Sequence, residues 1–282
     1  MNKILITGST GDVGKKLSKF LLKKKYNVLC LVRGEKKGPH EINGDLTDYN
    51  SLSKATENVK IVIHVAGVIK GSKQALRDVN IEGTRNLIRA CEGNSVEKIV
   101  FISTLDLKFF NTPYSESKKK AEDIIINSNL NYIILRPSVI YGEDFHKDLS
   151  TLVKLLKIVP LIPIIGSGKN LYQPIYVHDL IVLIKEIIDT NDVMNKAYYV
   201  CGAEPISFNE LIDLICYRLS KKVVKLHIPD LIVTTVSLFT ELFRMNINLK
   251  NFTTDKICSN EEIKKSYDFN PISVKEGINK LV

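Results

Sequence analysis

Five short apolar runs, spaced along the first half of the chain, constrain its fold more than any other feature. They are KILIT (3–7), NVLCLV (27–32), KIVIHVA (60–66), EKIVFIS (97–103) and NYIILRP (131–137). Runs this rich in Ile, Leu and Val, without polar alternation, describe strands covered on both faces. The segments 12–25, 74–92 and 114–128 between them have helical length and periodicity. Strands alternating with helices predict an α/β fold with a doubly wound parallel sheet, because each helix carries the chain back to start the next strand in the same direction.

After residue 141 the pattern loosens. IVPLIPIIGSG (158–168) is punctuated by Pro and Gly and reads as loop and short strand, whereas PIYVHDLIVLIKEII (174–188) returns to strand then helix. SFNE (207–210) and SVKE (273–276) are capping boxes, each announcing a helix. We therefore expect a sheet domain of residues 1–141 and 174–200, and a smaller, mostly helical, discontinuous C-terminal lobe of 142–173 and 201–282. IPDLIVTTVSLFTELF (228–243) is broken by Asp230 and Glu241. It falls short of the roughly 18 unbroken apolar residues a spanning helix needs and reads as a buried or half-buried helix.

The 282 residues suffice for a sizeable core. The net charge of +9 comes from cations scattered in short clusters such as Lys23–Lys25 and Lys118–Lys120, with no long block and no aromatic interleaving. That pattern speaks for solvated faces and against nucleic acid. Five cysteines (Cys30, Cys91, Cys201, Cys216 and Cys258) show no CxxC or Cys/His spacing. No metal is expected, the thiols are expected to be reduced, and the location cytoplasmic. The N-terminus MNKILITGST lacks the long apolar region of a signal peptide, and no membrane partner is expected.

Glycines at 8, 11 and 14 stand between the first strand and the first helix. Gly8 permits a tight turn, Gly11 lets a pyrophosphate approach the backbone, and Gly14 allows close helix–strand packing. The helix N-terminus then offers N–H groups and a positive dipole end to the anion. The second strand ends in Arg33 with no Asp or Glu before it. A guanidinium there suits a 2′-phosphate, with Lys36 or Lys37 assisting; stacking on adenine or exposure to solvent is the alternative. YSESK (114–118) sets Tyr114 and Lys118 four residues apart, on one helix face.

The spacing T-G-x-x-G-x-x-G, Thr7 to Gly14, resembles the short-chain dehydrogenase/reductase superfamily. Further landmarks follow in order: GDL (44–46), HVAG (64–67), VNIEGTRNLIRAC (79–91), FIST (101–104), YSESK (114–118) and LRPSVIYG (135–142). YVHDL (176–180) and YYVCGAEPISFNEL (198–211) resemble the extended, epimerase/dehydratase-like branch. The resemblance covers essentially the whole chain and implies a Rossmann-type domain with a substrate lobe. It implies nicotinamide cofactor binding by Gly8, Ser9, Thr10, Gly11, Asp12, Val13, Gly14, Arg33, Asp45, Leu46, Ala66, Gly67, Lys118, Pro137 and Val139. With Arg33 in place of a carboxylate, NADP(H) is favoured over NAD(H).

By the same resemblance Tyr114 is the general acid/base, with its phenol pKa lowered by the Lys118 ammonium. Thr104 is the favoured hydroxyl against the reacting oxygen and Ser103 the neighbouring candidate. Asn80 takes the position of a helix-breaking Asn, and His64 is expected to be a packed strand-end residue. Two departures stand out. Only nine residues separate Thr104 from Tyr114, with Lys108-Phe109 where the branch has Tyr-Gly. Tyr172 stands where these enzymes carry an Arg for the substrate diphosphate, and the nearby cation is Lys169, in a GSGKN loop expected to be flexible. The expected function is hydride movement at a hydroxyl or ketone carbon of a small-molecule substrate, possibly a nucleotide sugar. Alternatives are a reductase or dehydrogenase of a non-nucleotide, apolar or sterol-like carbonyl compound, and a non-catalytic NADP-binding sensor. A homodimer through 74–92 and 114–128 is a further family-level expectation.

Overall fold

A computed structural model describes residues 2–143, 145, 149–190, 194–229 and 254–281. The five apolar runs become β1 (Lys3–Thr7), β2 (Asn27–Val32), β4 (Ile61–His64), β5 (Lys98–Ile102) and β6 (Asn131–Pro137). Two strands escaped the sequence reading: the short edge strand β3 (Glu41–Asn43) and Lys196–Val200. Together they form one seven-stranded sheet in the order Lys196–Val200, β6, β5, β4, β1, β2, β3. Every pairing is parallel. All residues of β4 and β5 are buried, as their apolar runs require.

Helices cover both faces. On one, α2 (Tyr49–Ala55), α4 (Gly83–Gly93) and α5 (Pro113–Ile126) bring Leu52, Leu87, Cys91, Ala121 and Ile125 against Leu5, Val62, Ile99 and Phe101. On the other, α1 (Asp12–Lys23) packs against α7 (Val177–Asp189). The strand order reverses between β1 and β4, and the chain leaves their carboxyl ends in opposite directions. In doubly wound sheets the crevice at that point receives the ligand.

The chain divides into two compact units, 1–137 with 177–200 and 260–269, and 138–176 with 201–259 and 270–282. The boundaries differ from those expected at three places. Ile140–Tyr141 and Ile175–Tyr176 pair with each other and so belong to the second unit. Residues 260–269 return to the first, where Tyr267 lies edge-on to Tyr198 and the Ser266 and Tyr198 hydroxyls meet at 2.8 Å.

The second unit carries α6 (Leu149–Ile158), α8 (Phe208–Arg218) and a short helix Val274–Asn279. Both predicted capping boxes form, Ser207 with Glu210 and Ser273 with Glu276. Among its described residues, three two-stranded ribbons accompany the helices. The GSGKN loop is also pinned: the Asn209 N–H donates to Gly168 O at 3.0 Å and Asn209 Nδ2 donates to Ser167 O at 2.9 Å. The expectation of uniformly reduced thiols is corrected. Cys201 and Cys258 form a disulfide, while Cys30, Cys91 and Cys216 are free and buried. No local spacing announced the bond, since its halves are 57 residues apart and meet through tertiary contacts. The Cys258 N–H donates to Gln173 Oε1, and Gln173 Nε2 donates to Gly202 O. The helix expected within 228–243 lies outside the described residues beyond Pro229.

Candidate active site

The glycine loop separates packing roles from a binding role. Gly8 has φ +72°, and a Cβ there would stand 2.6 Å from Ala66 N. A Cβ on Gly14 would stand 2.1 Å from Gly8 O. Both glycines are demanded by the chain itself. At Gly11 the nearest atom is Gly8 O at 3.4 Å, so the packing of the chain does not require a glycine. Gly11 also caps α1 without any side-chain hydrogen bond, leaving the first turn's N–H groups for another acceptor. An uncapped helix end beside an open glycine fits a phosphate group. Ser9 cannot lend its hydroxyl, which donates to Leu31 O at 3.0 Å; its backbone remains. Thr10 is exposed, and Asp12 and Val13 are half-buried in the first turn of α1.

At the end of β2, Arg33 is exposed and acts electrostatically on Asp45. The Asp45 carboxyl is held below its usual range chiefly by the Thr47 N–H, which donates to Oδ1 at 2.8 Å, with Arg33 contributing. Leu46 is buried, Ala66 is half-buried and Gly67 exposed. Pro137 ends β6 in the first unit, and Val139 lies in the second, where its carbonyl accepts from the Ile175 N–H at 2.9 Å.

Tyr114 occupies the first turn of α5, fixed by a Thr112–Ser115 capping box and by Pro113 at the helix start. Its phenol lies within the influence of the Thr104 side chain, which opposes the rise of its pKa. Thr104 in turn caps a short 3-10 turn by accepting from the Asp106 N–H at 3.2 Å. Ser103, the other candidate, is buried and its hydroxyl has no protein partner. One helical turn beyond Tyr114, the buried Lys118 lies over the Phe101 ring and donates from Nζ to Ile102 O at 2.7 Å. A Cβ on Gly67 would come within 3.9 Å of that Nζ.

The expected lowering of the phenol pKa does not occur in the chain alone. Burial raises Tyr114, Asp106 adds to the rise, and Thr104 opposes it. Burial also lowers Lys118 to about 7, against the pull of Glu122. Glu122 is itself fully buried and engaged by Arg136, with Nη2 to Oε2 at 2.6 Å and Nε to Oε1 at 3.0 Å. A lysine that has shed much of its charge into a buried site has little field left to offer its neighbour.

Behind these residues runs a buried hydrogen-bonded chain that sequence reasoning found only in part. Asn80 sits in a π-helical turn, Arg77–Glu82, inserted ahead of α4. Such turns collect at functional sites. Its side chain accepts from the Val68 N–H at 2.7 Å and donates to Val68 O and to Ser117 Oγ, both at 2.9 Å. Ser117 donates to Tyr114 O at 2.7 Å. Thr84 Oγ1 donates to Asn80 O at 2.7 Å, so its 3.0 Å contact with His64 Nε2 must receive the ring proton. His64 Nδ1 is then the acceptor at 2.7 Å from Thr7 Oγ1, which itself accepts from the Ala66 N–H at 3.3 Å. Burial keeps His64 neutral, its pKa lowered to about 3. Asn80 and His64 were singled out in the sequence, whereas nothing there marked Ser117 or Thr84 as their partners.

A fold reversing at β1/β4, a phosphate-ready glycine loop and a Tyr–Thr–Lys cluster on one helix end agree with what the family comparison finds. The model of the NAD dependent epimerase/dehydratase family matches residues 4–202. This chain belongs to that family. It is an NAD(P)-dependent enzyme of the extended short-chain dehydrogenase type. The chain is 27% identical over 278 residues to the UDP-glucose 4-epimerase of Vibrio cholerae, covering 85% of this chain and 82% of that one. It is 24% identical over 325 residues to the 2-alkyl-3-oxoalkanoate reductase of Stenotrophomonas maltophilia, covering 99% and 98%. Its fold matches that of MoeE5 in complex with UDP-glucose and NAD, with a TM-score of 0.76, 18% identity and coverage of 99% and 97%.

Proposed function

We propose that the chain reduces a carbonyl, or oxidises the matching hydroxyl, with NADP(H), Tyr114 serving as the proton-transfer residue. The observation that carries this is Tyr114 in the first turn of α5, with the buried Lys118 one turn behind it and anchored on Ile102 O. The nicotinamide would supply or accept the hydride. In the reducing direction the protonated phenol of Tyr114 gives its proton to the substrate oxygen, and Thr104 holds that oxygen by a second hydrogen bond. Lys118, near its own pKa at neutral pH, holds the ribose and replaces the phenolic proton. The loop Gly8–Gly14 receives the pyrophosphate, and Arg33 favours the 2′-phosphate.

Tyr114→Phe is expected to lower turnover about 10²- to 10⁴-fold while the NADPH dissociation constant, measured by titration calorimetry, stays within about twofold. Wild-type turnover in the variant would remove Tyr114 from the chemistry. Arg33→Asp should erase an NADPH-over-NADH preference of about ten- to a hundredfold; equal affinities in the wild type would leave Arg33 without this role.

The epimerase relatives support a nucleotide sugar as substrate, with the second unit selecting it. One feature favours a second reading. Tyr172, half-buried in the strand Leu171–Tyr172, replaces the expected Arg, and a lysine such as Lys169 lacks the bidentate fork that grips a diphosphate. The full-length similarity to an oxoalkanoate reductase agrees with a less charged carbonyl compound. A thermal-shift screen of the NADPH-loaded protein decides between them: nucleotide sugars, or uncharged hydroxy-ketones and 3-oxo compounds, will raise the midpoint. We further propose a homodimer through the helices within 74–92 and 114–128, checked by analytical ultracentrifugation.

A further inference from the structure

The second unit presents a two-stranded parallel ribbon, Leu161–Ile165 paired with Val224–Ile228. Partners in register share a face in a parallel pair. Val224 lies opposite Leu161 and Leu226 opposite Pro163, and all four are exposed. Ile162 and Ile164, on the other face, are buried. Exposure reaches 64% at Val224 and 52% at Leu226, and Ile158, at the end of α6 three residues ahead of the ribbon, is 77% exposed. Single exposed apolar residues are ordinary, but a ladder across two strands that continues onto a helix end forms a contiguous patch.

The charges around this patch are mostly cationic. Residues 149–165 and 217–229 contain Lys154, Lys157, Arg218, Lys221, Lys222 and Lys225 and no Asp or Glu. Lys225 is taken by Asp213 at 2.6 Å. Lys154, Lys157, Lys221 and Lys222 are exposed, and Lys221 Nζ donates to Lys157 O, which draws the two lysine pairs to one end of the ribbon.

We propose that this face docks on an anionic lipid bilayer surface, with the apolar ladder entering the headgroup boundary and the lysines meeting lipid phosphates. An apolar centre does not suit nucleic acid, and a rim where lysines outnumber acids does not suit a basic partner. An apolar face with a cationic border is what an anionic membrane interface selects. Among the described residues, no helix is long and apolar enough to cross a membrane. This proposal departs from the expectation of no membrane partner and does not depend on the active-site reading.

The test is co-flotation of the full chain with vesicles of phosphatidylcholine alone, or of two parts phosphatidylcholine to one of phosphatidylglycerol. Partition into the anionic vesicles, weakened by salt, is expected. Lys221→Gln with Lys222→Gln should lower it roughly fivefold per lysine. Ile158→Ser with Leu226→Ser should lower it at least about tenfold on both vesicle types. All four positions are exposed, so an unchanged thermal midpoint will show that the variants fold. Absence of binding to anionic vesicles would overturn the proposal, as would binding that neither double variant weakens. Self-association of the wild type, abolished by the serine variant, would overturn it in favour of an interface between two copies of this chain.

Discussion

The loop Gly8–Gly14 in the first unit and the loop Gly166–Gly168 in the second both turn on glycines at positive φ, +72° at Gly8 and +69° and +66° at Gly166 and Gly168. Each lies near the start of a helix. In the first, α1 begins on Gly11 with no side-chain cap. In the second, α8 begins on a closed Ser207–Glu210 box, and the Asn209 and Phe208 N–H groups donate to Gly168 O and Asn170 O. One loop leaves donors for a ligand, and the other spends them within the protein. Glycine spacing alone therefore does not make an anion site; what decides is whether the helix behind it is left uncapped.

Three variants sharpen this contrast, in falling order of effect. Gly14→Ala drives a Cβ to 2.1 Å from the Gly8 backbone oxygen, with no flexible side chain to yield. It should cost about 3 kcal/mol or more in urea unfolding, and a wild-type midpoint would mean the loop gives way. Asn209→Ala removes the side-chain tie of the second loop and should cost about 1–2 kcal/mol with NADPH affinity unchanged. A loss of affinity there would erase the distinction between the loops. Gly11→Ala meets only Gly8 O at 3.4 Å, and Gly11 already has the extended φ of −77° that alanine adopts. Stability should stay within about 0.5 kcal/mol, while NADPH binding, followed by calorimetry, falls by about tenfold.

A separate test reads a pH slope. Lys118 has a folded pKa of about 7 against an ordinary value of 10.5. Between those values the unfolded chain holds a proton that the folded chain lacks, so this group's contribution to stability rises with pH across the window and is lost as pH falls back through it. Lys118→Met in the cofactor-free protein should therefore raise the thermal midpoint at neutral pH, with the gain fading towards pH 10.5. A constant difference across that range would place the lysine's cost in packing.

Much of the fold was legible because its signals are local. Strands β1, β2 and β6 begin and end where their apolar runs do, and the capping boxes at 207 and 273 each open a helix. A period, a glycine triplet or a Tyr-x-x-x-Lys pair needs only a few neighbouring residues to declare itself. The strand β3 and the helix α2 were missed because three and seven residues are too few to carry a period.

The sequence by itself determined a parallel α/β sheet, a glycine loop opening α1, and Tyr114 and Lys118 on one face of α5. Tertiary structure alone decided how those parts are supported and charged. It placed His64 between Thr7 and Thr84, tied Asn80 to Ser117, joined Cys201 to Cys258, and returned residues 260–269 to the sheet unit. It also raised Tyr114 and lowered Lys118 where charge attraction alone predicted a lowered phenol. These contacts join residues 57 positions apart in the disulfide and 68 apart at Tyr198 and Ser266, and desolvation depends on everything packed around a group. Neither quantity exists until the chain has closed on itself.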